Sequence, residues 1–232
     1  INPTTFVIGA TATPFRKGNQ TSLEKFYTDL VYIIDTPELI KLGYLSEAEY
    51  FGVEINTKGM KKIGDELDTS KYYEENKMYC GVVENYTRLV KNKKTIVFTS
   101  NVKSSIMLAD EFKFNGFNAQ HIDANTKNRE DIFKWFNENS DAILCNCGIA
   151  TTGFDQPNIE CVILYMATTS LVKYMQCCGR GSRVTETKKQ FKILDFGNNV
   201  KRLGFWCDER VWNLKKKVKK EGVKPIKYCP NC

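Results

Sequence analysis

The chain has 232 residues, 42% of them apolar and 26% charged, enough for one substantial core with appendages. No apolar run reaches the length of a membrane-spanning helix and the first residues do not read as a secretory leader, so a membrane protein and a secreted, disulfide-stapled domain are set aside. Net charge is +7, but residues 213–227 hold seven Lys and one Glu, which is +6, leaving the rest at +1; attraction for a polyanion is concentrated in the tail. Nine Cys without secretory features point to a reducing compartment, most of them serving as small buried hydrophobes.

In chain order, residues 5–10 (TFVIGA) read as a short apolar strand that Pro14 stops. Residues 17–22 are a polar loop, and residues 23–32 mix apolar and charged side chains. A helix over residues 38–41 is expected, with Thr36 as its cap, Pro37 as its first residue and Gly43 at its end. Residues 49–55 read as a strand, 56–70 as a loop or insertion, and 71–91 as a helix with an imperfect apolar stripe. From Lys94 onward, strand and helix alternate. Strands are expected at 95–100, 118–122, 141–145, Cys161–Tyr165 and 191–196, with helices at 102–115, 128–139 and after Thr169 or Ser170. Alternation of this kind predicts an α/β fold, a parallel sheet with helices on both faces. In such sheets ligands bind beyond the carboxyl ends of the strands, which directs attention to the polar loops after Phe98, Cys145 and Tyr165.

The most informative stretch is residues 148–184. Cys161–Tyr165 (CVILY) is short and nearly all apolar, as a strand covered on both faces should be. In the helix that follows, Lys173, Gln176, Arg180 and Arg183 recur at spacings of three, four and three, so a continuing helix would align them on one face. Leu171, Tyr174, Met175 and Cys178 would lie on the opposite, buried face. Gly179 and Gly181 would weaken the helix end and admit a ligand close to the backbone. Two guanidinium groups beside glycines suit phosphate oxygens, and one could stabilise charge that develops in phosphoryl transfer. The same pattern also suits a solvated helix end with basic residues near its negative pole.

Here the sequence resembles the superfamily 2 helicases. Gln176-Cys177-Cys178-Gly179-Arg180-Gly181-Ser182-Arg183 is similar to motif VI (QxxGRxxR). Thr151-Thr152-Gly153-Phe154-Asp155-Gln156-Pro157 is similar to motif V, and Thr11-Ala12-Thr13-Pro14 to motif III. Thr99, Ser100 and Asn101 resemble motif IV. The likeness runs from about Val7 to Asp195 and is closest in flavour to the DEAD/DEAH-like branch of UvsW-, RadD- and type III restriction-type translocases.

The resemblance implies a RecA-like three-layer domain of an ATP-dependent nucleic-acid motor. Arg180 and Arg183 would contact ATP phosphates, Arg183 as the finger on the terminal one, with Gln176 organising the interface. Gly153 and Asp155 would link the nucleotide site to the nucleic-acid track, and Thr11 and Thr13 would couple that site to interdomain movement. Thr99, Ser100, Asn101, Thr151 and Thr152 would touch the phosphates of a single strand, although helix capping explains the first three equally well. No GxxxxGK[ST] and no DExH or DEAD tetrad occurs in the chain. ATP and Mg2+ would therefore meet it only together with a first RecA-like domain, and the chain alone is expected to lack ATPase activity. Ile1-Asn2-Pro3 opens without Met, and the chain is expected to be part of a longer protein.

The resemblance divides the chain into the end of a first RecA-like domain with its connection (1–35), a connecting strand and helix (36–93), a second RecA-like domain (94–206) and a basic tail with a CxxC knuckle (207–232). Cys229 and Cys232 form half of a four-ligand zinc site, with Cys207 as a distant candidate. Trp206 and Trp212 could stack on bases, although core packing is the commoner use. His121 is the single histidine and reads as structural. Nucleic acid is the expected partner, DNA favoured over RNA, without a membrane, in the cytoplasm of a bacterial or phage-infected cell. The alternative is a non-enzymatic nucleic-acid-binding module that uses the lysine tail and a zinc knuckle.

Overall fold

The computed structural model describes residues 6–14, 23–53, 55–75, 78–149, 155–214 and 219–220. Six parallel strands form one sheet in the order β1 (Glu47–Gly52), β9 (Gln190–Asp195), β7 (Cys161–Tyr165), β4 (Thr95–Thr99), β6 (Ile143–Asn146) and β5 (Ala119–Ile122). Every residue of β4, β6 and β7 is buried. Alternate side chains along them enter two cores, Ile96, Phe98, Leu144, Val162 and Leu164 on one face and Val97, Ile143, Cys145, Cys161 and Ile163 on the other. That two-sided burial is why these strands read as continuous apolar runs.

The first core is closed by α5 (Arg129–Glu138), α6 (Leu171–Gly179) and α7 (Asn199–Leu203), through Ile132, Phe136, Tyr174, Met175 and Val200. The second is closed by α2 (Ser70–Glu75), α3 (Met78–Leu89) and α4 (Val102–Phe114), through Tyr73, Val82, Val83, Tyr86, Leu108 and Phe112. The architecture is a RecA-like α/β fold, as the alternation of elements implied. β1 and α3 pack with the elements of residues 94–206, since β1 is an edge strand of the sheet and α3 covers one face.

Lys94 illustrates how polar ends are sealed. Its buried Nζ donates to the carbonyls of Phe136 (2.6 Å) and Asn137 (2.8 Å), satisfying the last turn of α5, and burial lowers its pKa. Asp195, at the end of β9, is buried and accepts from Gly197 N (3.0 Å), Asn199 Nδ2 (2.7 Å) and Val200 N (2.8 Å), fixing the start of α7.

Several local expectations are corrected. Residues 6–10 form no strand, and Phe6 and Ile8 are each 94% exposed, so no neighbouring strand or core among the described residues supports them. In α1 (Thr36–Lys41) the cap is Asp35, not Thr36, because the Asp35 carboxylate reaches Glu38 N at 2.9 Å. The helix expected over 71–91 is two helices, α2 and α3, with residues 76–77 outside the description. The loop expected at 56–70 holds a hairpin, β2 (Lys62–Ile63) and β3 (Glu66–Leu67), that pairs with β8 (Ala167–Thr168). A second small sheet pairs β10 (Arg210–Val211) with β11 (Lys219–Lys220). No helix among the described residues is long and apolar enough to cross a membrane.

Asp195→Ala leaves the N–H groups of Gly197 and Val200 without an acceptor, while Asn199 Nδ2 keeps the Met166 carbonyl at 2.8 Å, so it should cost about 2 kcal/mol or more in urea unfolding; a loss below about 1 kcal/mol would contradict this role.

Candidate nucleotide cleft

Helix α6 starts where the sequence suggested: Ser170 caps it, its hydroxyl accepting from Lys173 N at 3.3 Å. Tyr174, Met175, Cys177 and Cys178 are buried, and burial pushes the Cys177 thiol up to about 12. The helix ends at Gly179. The N–H groups of Arg180, Gly181 and Ser182 then bond three residues back, at 3.2, 3.1 and 3.3 Å, and the chain unwinds into a turn. Arg180 is the C-cap and Arg183 lies beyond the helix, bridged to Leu45. Lys173, Gln176, Arg180 and Arg183 therefore do not share one helical face, contrary to the expectation from spacing.

The role of Gly181 also differs from the expectation. A Cβ there would sit 2.2 Å from the Phe191 ring, so the glycine admits a core aromatic and not a ligand. Phe191 stacks edge-on against Trp206 at 5.9 Å, and Trp206 N donates to Tyr50 Oη at 2.7 Å. Trp206 is 4% exposed, which places it in the core. From the other side, Ser46 N donates to Ser182 O (2.6 Å) and Ser46 Oγ to Arg183 O (3.0 Å). The arginine-bearing turn is thus seated on packed structure along its whole length.

Above it lies a cleft of 710 Å³. Thr11 and Thr13 line it, as do Gln176, Arg180 and Arg183. Trp206, Asp208, Arg210 and Trp212 complete the lining beyond α7. Burial lowers the Arg180 pKa, so its charge is incompletely solvated and an anion would be welcome beside it. Arg183 pairs with Asp155 across the cleft rim, its side chain 38% and that of Asp155 76% exposed, so the pair lies at the surface. Gly153, Thr151, Thr152, Cys229 and Cys232 fall outside the described residues. Cys207 is half-buried against the core, and no cluster of three or more His, Cys, Asp or Glu fit for a metal occurs among the described residues.

The turn sits at the amino edge of the sheet, beside the residues that precede β1 and β9. The rule for open α/β sheets pointed to the opposite, carboxyl edge. There, Thr99 is buried and its hydroxyl donates to the carbonyls of Asn101 (3.0 Å) and Asn146 (3.1 Å), while the Asn101 side chain caps α4 by accepting from Ser104 N (2.8 Å). Ser100 Oγ is buried and has no hydrogen-bond partner among the described residues. His121 holds Ser105 Oγ at 2.7 Å, a contact between β5 and α4.

Compared with known proteins, residues 79–185 match the helicase conserved C-terminal domain. The matched residues form a helicase C-terminal domain of the superfamily 2 type. The chain is 29% identical over 200 residues to the candidate ATP-dependent helicase IRC3 of Saccharomyces cerevisiae, covering 82% of this chain and 29% of that protein. It is 31% identical over 240 residues to a 51.5 kDa protein of a Lactococcus phage, covering 97% of this chain and 52% of that protein. The chain thus spans about a third to a half of the length of these relatives. Among solved structures, a fragment of a candidate HsdR subunit of a type I restriction enzyme from Vibrio vulnificus superposes with a TM-score of 0.69 at 20% identity, over 84% of this chain and 40% of that one.

The helicase domain's match ends at residue 185, two residues past Arg183. Of the supports that lie beyond it, Trp206 takes the core packing expected as its commoner use, whereas Phe191 carries no motif, and the short apolar run at 191–196 hinted only at a strand.

Gly181→Ala should destabilise by about 1–3 kcal/mol, and Phe191→Leu should recover part of that loss. Asp155→Ala removes only a surface ion pair and should change stability by at most about 1 kcal/mol. Chemical denaturation of the single and double variants checks both.

Proposed function

We propose that the chain is the nucleotide-closing and strand-contacting half of an ATP-dependent nucleic-acid helicase or translocase. The observation that carries this reading is that Gln176, Arg180 and Arg183 line one cleft with Thr11 and Thr13, residues far apart in sequence. Two guanidinium groups on a fixed turn suit a triphosphate delivered from outside, because their planar donors need no reorganisation to meet it. The depressed pKa of Arg180 supports an anion there.

ATP supplies the phosphoryl group that is transferred to water. Arg180 and Arg183 would bind and orient its phosphate oxygens, and Gln176 would hold the approach side. Arg183 would leave Asp155 for the terminal phosphate, an exchange made easy by the exposure of the pair. Magnesium would be held by the nucleotide and a first RecA-like domain. The partner reading has its own support. Large exposed apolar side chains gather in residues 6–44, with Phe6, Ile8, Val31 and Ile33 at 94, 94, 81 and 87% exposure, a surface that a companion domain would cover. Nucleic acid is the proposed track, DNA before RNA on the likeness to the UvsW-, RadD- and type III restriction-type branch, and the cytoplasm is the proposed site of action.

In the two-domain protein, Arg183→Ala should reduce nucleic-acid-stimulated ATP hydrolysis by on the order of a thousandfold while leaving nucleotide binding largely in place. Turnover equal to wild type would refute the role. The chain alone should show no turnover; robust hydrolysis by the isolated chain would refute the need for a companion.

A further inference from the structure

Lys188 is 6% exposed and makes no contact with a carboxylate among the described residues. Its Nζ donates to three carbonyls: Pro157 at 2.7 Å, Ile159 at 2.8 Å and Gly181 at 2.8 Å. The backbone that delivers it is a closed turn, in which Lys188 N donates to Thr185 Oγ1 (3.0 Å) and Thr185 N to Lys188 O (3.2 Å). Pro157 and Ile159 follow Asp155 in the loop that leads into β7, and Gly181 stands between Arg180 and Arg183. One ammonium therefore gathers both segments that meet in the Arg183–Asp155 pair.

We propose that Lys188 is a positioning residue for the arginine turn: by holding the carbonyls of Pro157, Ile159 and Gly181 at one point, its ammonium sets the spacing between the Asp155 loop and the Arg180–Arg183 turn. The role rests on the reading of those arginines as phosphate contacts, and it adds a residue that touches no ligand. An ammonium has three donors for three carbonyls. A neutral amine has two, plus a lone pair, so deprotonation releases one carbonyl. Burial lowers the Lys188 pKa from 10.5 to about 8; Glu160 opposes the shift and Arg183 adds to it. Glu47 and Lys189 share the groove beside Lys188 and Glu160 and complete the charges that face it. Because the unfolded chain holds this proton up to 10.5, the Lys188 contribution to stability rises with pH between about 8 and 10.5. A loss of function across that window would therefore report the spacing and not unfolding at Lys188.

The test has two arms. In the 232-residue chain, carbon-detected NMR should show the Pro157, Ile159 and Gly181 carbonyls titrating together with a midpoint of about 8, and the titration should vanish in Lys188→Met. Lys188→Gln, which keeps two donors and does not titrate, serves if the Met variant fails to fold. Carbonyls that titrate separately, or in the variant as in wild type, overturn the clasp whether or not the helicase reading holds. In the two-domain protein, Lys188→Met should lower kcat for ATP by on the order of tenfold to a hundredfold with KM little changed. An unchanged kcat overturns the positioning role even where the carbonyls titrate.

Discussion

The turn at residues 179–183 is fixed by a close approach that only glycine allows. With Gly181 against the Phe191 ring, the turn lies directly on β9, and everything it carries inherits the rigidity of the central sheet. Ser46 ties its far end to the start of β1, and Trp206 backs its near end against Tyr50. Arg180 and Arg183 project from a platform and not from a frayed helix end. Preorganisation of this kind matters for charge stabilisation, since a donor already in place costs no rearrangement when charge appears.

The sheet separates the two faces that the proposed motor would use. The arginine turn lies at the amino edge, while Thr99, Ser100 and Asn101 lie at the carboxyl edge. Between them run β4 and β7, buried along their full length. Asp155 lies in the segment of chain between the end of β6 and the start of β7. That segment joins the two edges along the chain, which gives the Asp155–Arg183 contact its interest.

Much of this was legible in the residues, for physical reasons that can be named. Cys161–Tyr165 was recognisable because burial on both faces demands an unbroken apolar run, and Ser170 because a helix start lacks partners for its first N–H groups. The arginine pair was legible as a motif, but its geometry was not. Helical spacing placed four polar residues on one face, whereas Gly181 and Phe191, ten positions apart, end the helix by contact. Residues 62–67 escaped notice because strands of two residues, half of them charged, show no period. Lys188 was invisible for a similar reason. It sits in a polar run, TETKKQ, where lysine ordinarily faces water, and only the fold reveals the three carbonyls around it. Capping was as good a reading of Thr99 and Asn101 as phosphate contact, and their side chains are engaged within the fold.

The account stands on the claim that Arg180 and Arg183 face a nucleotide brought by a companion domain. Arginine modification by phenylglyoxal, mapped by mass spectrometry on the two-domain protein with and without a non-hydrolysable ATP analogue, tests it most directly. Protection of Arg180 and Arg183 by the analogue, with Arg88 and Arg129 unaffected, is the expected outcome. Equal reactivity of Arg180 and Arg183 in both states would contradict the account.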